Sequence, residues 1–217
     1  MKPPDDLGFI HVFVPGDTPS PDAVTLLLLH GTGGDERDLI PVGKQLWPGA
    51  ALLGVRGQVL ENGMPRFFRR LAEGVFDVED LKSRTEELAH FIDAAAEQYG
   101  FSKRRLVLVG YSNGANIASS LMLLHPHYET AAILFRPMVP FQPAILRDYS
   151  RLAVFISAGT ADPIVSPDAP EQLAAIFESG GADVSLFWHE GGHELGADDL
   201  IAAKRWLSDL AAKRRAA

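Results

Sequence analysis

Apolar runs and helical periods alternate along the chain. Residues 9–14 form a mixed run closed by Pro15-Gly16, which predicts an edge strand. Residues 24–29 and 106–109 are continuously apolar apart from Thr25, the pattern of strands covered on both faces. Similar runs predict strands at 50–55, 130–135, 152–157 and 184–188. The strongest helical period spans 78–99, where Leu81, Leu88, Phe91, Ile92 and Ala95 share one face and Gly100 follows as a stop. Shorter helices are predicted at 38–46, with Pro41 in an early turn or at a kink, at 115–124, and at 168–179 before Gly180-Gly181. A last helix covers 197–213, and its basic end suits a helix C-terminus. Segments 56–77 and 136–150 show neither period and read as irregular.

This β-β-α-β-loop-α-β-α-β-β-α-β-α order predicts an α/β fold: a mostly parallel twisted sheet with helices on both faces. No repeat or linker interrupts it, so residues 1–217 read as a single domain. The irregular segments are too short for a separate cap domain. They fall beside strand ends, where α/β proteins mount functional loops.

Composition narrows the partners. The net charge of −8 argues against nucleic acid and against an anionic membrane surface. No run of about 18 apolar residues occurs, so no membrane span is expected. With no cysteine, disulfides, thiolate nucleophiles and cysteine metal sites are excluded. Residues 1–6 lack the apolar core of a secretory signal, and a cytoplasmic enzyme is the expectation. Neither a metal nor a cofactor is expected. No His/Asp/Glu group has ligand spacing, and Gly31–Gly34 lacks the Lys-Ser/Thr of a phosphate loop. Apolar loops at 64–71 and 138–146 leave a homodimer open.

The candidate chemistry centres on Gly110-Tyr111-Ser112-Asn113-Gly114, between a buried strand and a helix. A serine there sits on a sharp turn, its hydroxyl exposed above the sheet beside the free N–H groups of a helix N-terminus. Such a nucleophile needs a histidine base, and the base needs a carboxylate. In this fold type they follow in the order Ser, Asp, His. Four histidines lie downstream. His125 and His127 read as helix-end residues, and His189 as a strand-end residue with local contacts. His193 lies past the last strand in a glycine-bearing loop and is the candidate base. Asp162, in the loop after 152–157, is the candidate carboxylate; alone it would read as an Asp-Pro turn. Backbone N–H groups of Asn113 and of Thr32, in the glycine loop after 24–29, are the candidate oxyanion donors. His30 reads as a tie within that loop.

Two segments leave alternatives open. Around 64–70, aromatics beside arginines suit either a substrate surface or flap, or phenylalanines that plug the core. Around 136–141 the choice is between an apolar acyl wall and simple packing. Met64, Phe67, Phe68, Met138 and Val139 are the candidate substrate-binding side chains.

Residues 29–36, 110–116, 159–165 and 192–194 together resemble the small bacterial carboxylesterase/phospholipase family of α/β-hydrolases, related to acyl-protein thioesterases. Segments 61–68 and 136–140 look more like its quinone-stress hydrolase branch. The resemblance implies a lidless serine esterase for small-molecule short acyl or aryl esters. Acyl-thioester or lysophospholipid hydrolysis on the same machinery is the alternative, and a non-catalytic ligand-binding module a more distant one. Asn113 stands where many thioesterase relatives have Gln, which points away from protein deacylation and lysophospholipids.

Overall fold

The computed structural model describes residues 7–18, 20, 23–126 and 131–216. Its central sheet is built from β1 (His11–Val14), β2 (Thr25–Leu29), β3 (Ala51–Val55), β8 (Leu106–Tyr111), β9 (Ala131–Phe135), β10 (Ala153–Gly159) and β11 (Asp183–His189). The spatial order is β1-β3-β2-β8-β9-β10-β11, and every pairing is parallel except β1 with β3. Parallel neighbours need long crossovers, which α1 (Ile40–Leu46), α2 (Val78–Tyr99), α3 (Asn113–Leu124) and α4 (Asp168–Ser179) supply; α5 (Ala197–Ala216) follows the last strand.

The continuous apolar runs are explained by two cores, one on each face. Leu27, Leu29, Leu108 and Leu134 pack with Leu88 of α2, Ile117 of α3 and Leu173 of α4. The alternate residues Leu26, Leu28, Val107 and Ile133 pack with Leu46 of α1 and Leu207 of α5. Side chains alternate along a strand, so both parities must be apolar when both faces are covered. Each fully buried leucine contributes about 1.5–3 kcal/mol.

From β2 the chain steps outward to β3, then returns to lay β8 on the other side of β2. The strand order reverses there, and a crevice opens beyond the carboxyl ends of β2 and β8, where such sheets bind ligands. Ser112 and the 30–34 loop both follow those ends.

Several expected boundaries shift. α1 begins at Ile40 rather than at residue 38, because Pro41 suits only a first turn. α2 starts on Asp77, whose carboxylate caps Asp80 N–H at 3.1 Å, and stops at Gly100 with φ 71°. Segment 56–77 is not irregular. It holds two hairpins, β4 (Val59–Glu61) with β5 (Met64–Arg66) and β6 (Arg70–Ala72) with β7 (Val75–Phe76). Asn62 and Gly63 turn the first with φ values of 51° and 80°, the two positive angles of a type I′ turn. Asn-Gly was the legible signal for it. The expected strand start at Thr130, like His127, lies outside the described residues.

Candidate active site

Ser112 joins β8 to α3 with φ 52° and ψ −113°. A non-glycine residue there carries about 1–3 kcal/mol of strain, held by the surroundings. Ser112 N–H donates to Phe135 O at 2.9 Å, and Ser112 O accepts from Asn116 N–H at 3.0 Å. The flanking glycines are steric necessities. A Cβ on Gly110 would meet Gly114 O at 2.6 Å, and one on Gly114 would collide with the Leu29 and His30 carbonyls.

The loop after β11 carries His193 back over the sheet. Its Nε2 lies 2.8 Å from Ser112 Oγ, and its Nδ1 lies 2.8 Å from Asp162 Oδ2. An ionised carboxylate only accepts, so Nδ1 bears the proton and the Nε2 lone pair faces the serine hydroxyl. Asp162 Oδ1 accepts from Ile164 N–H at 2.8 Å and Val165 N–H at 3.0 Å, so its Asp-Pro turn and its contact with His193 coexist. Burial pushes the Asp162 carboxyl up. The N–H groups of Val165 and Ile164 and the His193 ring outweigh burial and hold it below its ordinary range. Tyr111 OH donates to His193 O at 3.1 Å; burial raises this phenol, which therefore keeps its proton.

Among the described residues, His125, His189 and His30 make other contacts. His125 pairs with Glu86 at 3.0 Å on the helix surface. His189 meets the Arg136 guanidinium, which can only donate, so its Nε2 accepts. His30 Nε2 accepts from Gly57 N–H at 2.9 Å, while its Nδ1 bonds Gly31 O at 2.5 Å; burial lowers its pKa and favours the neutral ring this tie requires.

A strap, residues 64–68, bonds to both the Thr32 loop and Asn113. Gly33 N–H donates to Pro65 O at 2.9 Å, and Arg66 Nη1 donates to Thr32 Oγ1 at 2.9 Å. Phe67 N–H donates to Asn113 Oδ1 at 2.7 Å. Thr32 N–H has no protein acceptor among the described residues. Asn113 N–H begins a helix and has no intrahelical acceptor.

The strap corrects the expected substrate surface. Phe67 and Phe68 are 1% and 0% exposed and lie in the core, Phe67 against His30 and Phe68 edge-on to Phe76. The Phe67 N–H reaches Asn113 while both rings face inward. Arg66 does not snorkel; it is 4% exposed and paired with Glu61 at 3.2 Å. Met64 is exposed beside Gly33 and does not line the cleft. Val139 packs half-buried on the core. Of the five candidates only Met138 lines the cleft, with its N–H fixed by Asn116 Oδ1 at 2.7 Å.

The cleft encloses about 310 Å³ and is walled by Thr32, Arg70, Phe76, Asn116, Met138 and Ile164, with Ser112 and His193 at its base. Another hollow, about 230 Å³ between Trp47, Leu207 and Arg214, lies at the amino ends of the strands, away from this chemistry. Among the described residues no group of three His, Asp or Glu side chains is arranged to hold a metal, and no helix is long and apolar enough to cross a membrane.

Residues that sequence reasoning passed over also support the site. Arg136, read only as part of an apolar segment, is a buried hub beneath the His193 loop. An arginine placed directly after an apolar strand run was its one signal. Nothing local marked Tyr111 as a partner of His193.

The family model described as the dienelactone hydrolase family matches residues 65–201, which include Ser112, Asp162 and His193. A Bacillus subtilis (strain 168) protein bearing the name "Putative hydrolase MhqD" is 50% identical over 184 residues, 85% of this chain and 92% of that protein. The Bacillus cereus carboxylesterase structure matches with a TM-score of 0.90 at 46% identity, covering 94% of this chain and 95% of that one. A carboxylesterase from Mesorhizobium loti matches with a TM-score of 0.88 at 32% identity, covering 94% and 96%. The sheet order, the turn at Ser112 and these likenesses agree: the chain belongs to the dienelactone hydrolase family and is an esterase-type hydrolase on the α/β-hydrolase fold.

Proposed function

We propose that the chain hydrolyses short acyl or aryl carboxylic esters through an acyl-enzyme on Ser112. The observation that carries this reading is the unbroken relay from Ser112 Oγ through His193 to Asp162, with both links at 2.8 Å, at the base of a cleft. Ser112 Oγ attacks the ester carbonyl as His193 Nε2 takes its proton, and the imidazolium is held by Asp162. The oxyanion accepts the Thr32 and Asn113 N–H groups. As the intermediate collapses, the alkoxide leaves with the proton from His193. Water then attacks the acyl-serine, gives its proton to His193, and the carboxylic acid departs as Ser112 regains its hydroxyl.

The cleft of about 310 Å³ is near the small end of the roughly 300–1,000 Å³ range of ligand sites, which favours short acyl groups over long chains. Met138, Phe76 and Ile164 offer the apolar contacts for them. Ser112→Ala should abolish hydrolysis of p-nitrophenyl acetate and butyrate and remove labelling by a fluorophosphonate. Near-normal turnover in that variant refutes the reading. A rate that climbs steadily toward long acyl chains refutes the substrate class.

A further inference from the structure

Two non-glycine residues outside a hairpin turn have positive φ among the described residues: Ser112 and Arg136, the latter at 57°. Arg136 also precedes Pro137, and a proline disfavours helical backbone in the residue before it. Strain of this kind persists where the surroundings over-determine it, and it gathers at functional sites. Arg136 does not line the cleft, so its backbone needs another account.

Its side chain is fully buried and divides its donors between the His193 loop on one side and Asp199 with Ser157 on the other. Nε donates to Gly192 O at 3.0 Å and Nη2 to Glu194 O at 2.9 Å. Those carbonyls flank His193, whose own carbonyl takes the Tyr111 hydroxyl at 3.1 Å. Three successive carbonyls of the loop are thus each held by a side chain. The anchor of the guanidinium is equally defined. Asp199, also fully buried, accepts from Nη1 at 3.0 Å and Nη2 at 2.8 Å, while Ser157 Oγ accepts from Nη1 at 2.9 Å. Asp199 further takes Gly196 N–H at 2.7 Å, which ties the far end of the loop to the same pair. A buried ion pair adds little net stability against well-packed apolar residues. What this one supplies is a fork of fixed shape, which lysine cannot reproduce.

We infer that Arg136 is a positioning residue: its buried guanidinium holds the carbonyls on both sides of His193 and thereby sets where the imidazole meets Ser112. The inference rests on the reading of His193 as the general base. A misplacement of about 1 Å costs on the order of 10²-fold in rate, which sets the scale of the expected effect.

The test is a double-mutant cycle on p-nitrophenyl acetate, with Arg136→Lys made in the native and His193→Ala backgrounds. Arg136→Lys keeps the charge opposite Asp199 and loses the fork. In the native background kcat should fall about 10²-fold with KM within about threefold. In the His193→Ala background the same change should alter the residual rate less than about twofold, because the base it aims is gone. A folded Arg136→Lys enzyme with native kcat overturns the inference, and so does an equal loss in both backgrounds, which is the signature of a merely structural role. If Arg136→Lys does not fold, Ser157→Ala, which removes one anchor of the guanidinium, takes its place. It should lower kcat several-fold in the native background alone, and a native kcat there overturns the inference. His193→Ala with native activity would instead refute the proposed base, so the two failures are distinct.

Discussion

Asp162→Asn separates the geometry of the relay from its mere presence. The carboxylate serves three donors: His193 Nδ1 at 2.8 Å, Ile164 N–H at 2.8 Å and Val165 N–H at 3.0 Å. An asparagine has one oxygen, so two arrangements compete. If the amide oxygen turns to His193, the amide NH₂ faces both backbone N–H groups. Two backbone donors, one exposed and one half-buried, then face the amide hydrogens and lose their acceptor. If the oxygen keeps the backbone pair, only the His193 contact changes, and this arrangement wins. The NH₂ then donates to Nδ1, which moves the imidazole proton to Nε2, pointing at Ser112 Oγ. The ring can no longer take the serine proton. A change of tautomer of this kind costs about 10⁴-fold in kcat, or about 5.5 kcal/mol of barrier. Asp162 does not line the cleft, so KM should stay within about threefold. Steady-state hydrolysis of p-nitrophenyl acetate at pH 8 reads both constants, and a thermal melt confirms the fold. A well-folded variant within tenfold of native kcat would refute the argument, as would a loss expressed wholly in KM.

Phe68→Ala should destabilise the protein by about 3–5 kcal/mol in urea unfolding, as for other buried phenylalanines, with KM of the folded enzyme nearly unchanged; a raised KM at native stability would put the ring back in the substrate site. Acid stability follows from Asp162 and Asp199, both held below their ordinary value of 3.8. For Asp199, burial acts upward and is outweighed by Arg136, Ser157 and Gly196 N–H. Carboxyls with lowered folded-state pKa stabilise above the unfolded value, so this contribution is present above about pH 4 and lost as pH falls through the folded values. Urea midpoints measured from pH 6 down to 2 should drop in that window and drop less in Asp162→Asn; identical acid limbs for the two proteins would contradict the assignment.

The strands and helices that position the site were legible because burial on both faces writes continuous apolar runs, and one-sided burial writes a helical period. Helix α2 was readable to its glycine stop, since its pattern repeats over many turns. Segment 56–77 was not readable in the same way. Its strands are two or three residues long, too short for alternation to register, and they pair only with each other.

By itself the sequence determined the layered α/β architecture and the residue types able to form a nucleophile, a base and an orienting carboxylate in order. Those are local properties: periodicity, turn chemistry and a pentapeptide whose glycines leave room for a strained serine. Only the tertiary structure decided that Phe67 and Phe68 turn into the core while the Phe67 N–H braces Asn113 and the Arg66 guanidinium braces Thr32. It alone decided that Arg136 reaches the His193 loop, 56 residues further along the chain. The physical reason is the same in both cases. Which side of a segment faces the core, and which distant carbonyl completes a buried guanidinium, depends on neighbours that the fold supplies and the local sequence does not encode.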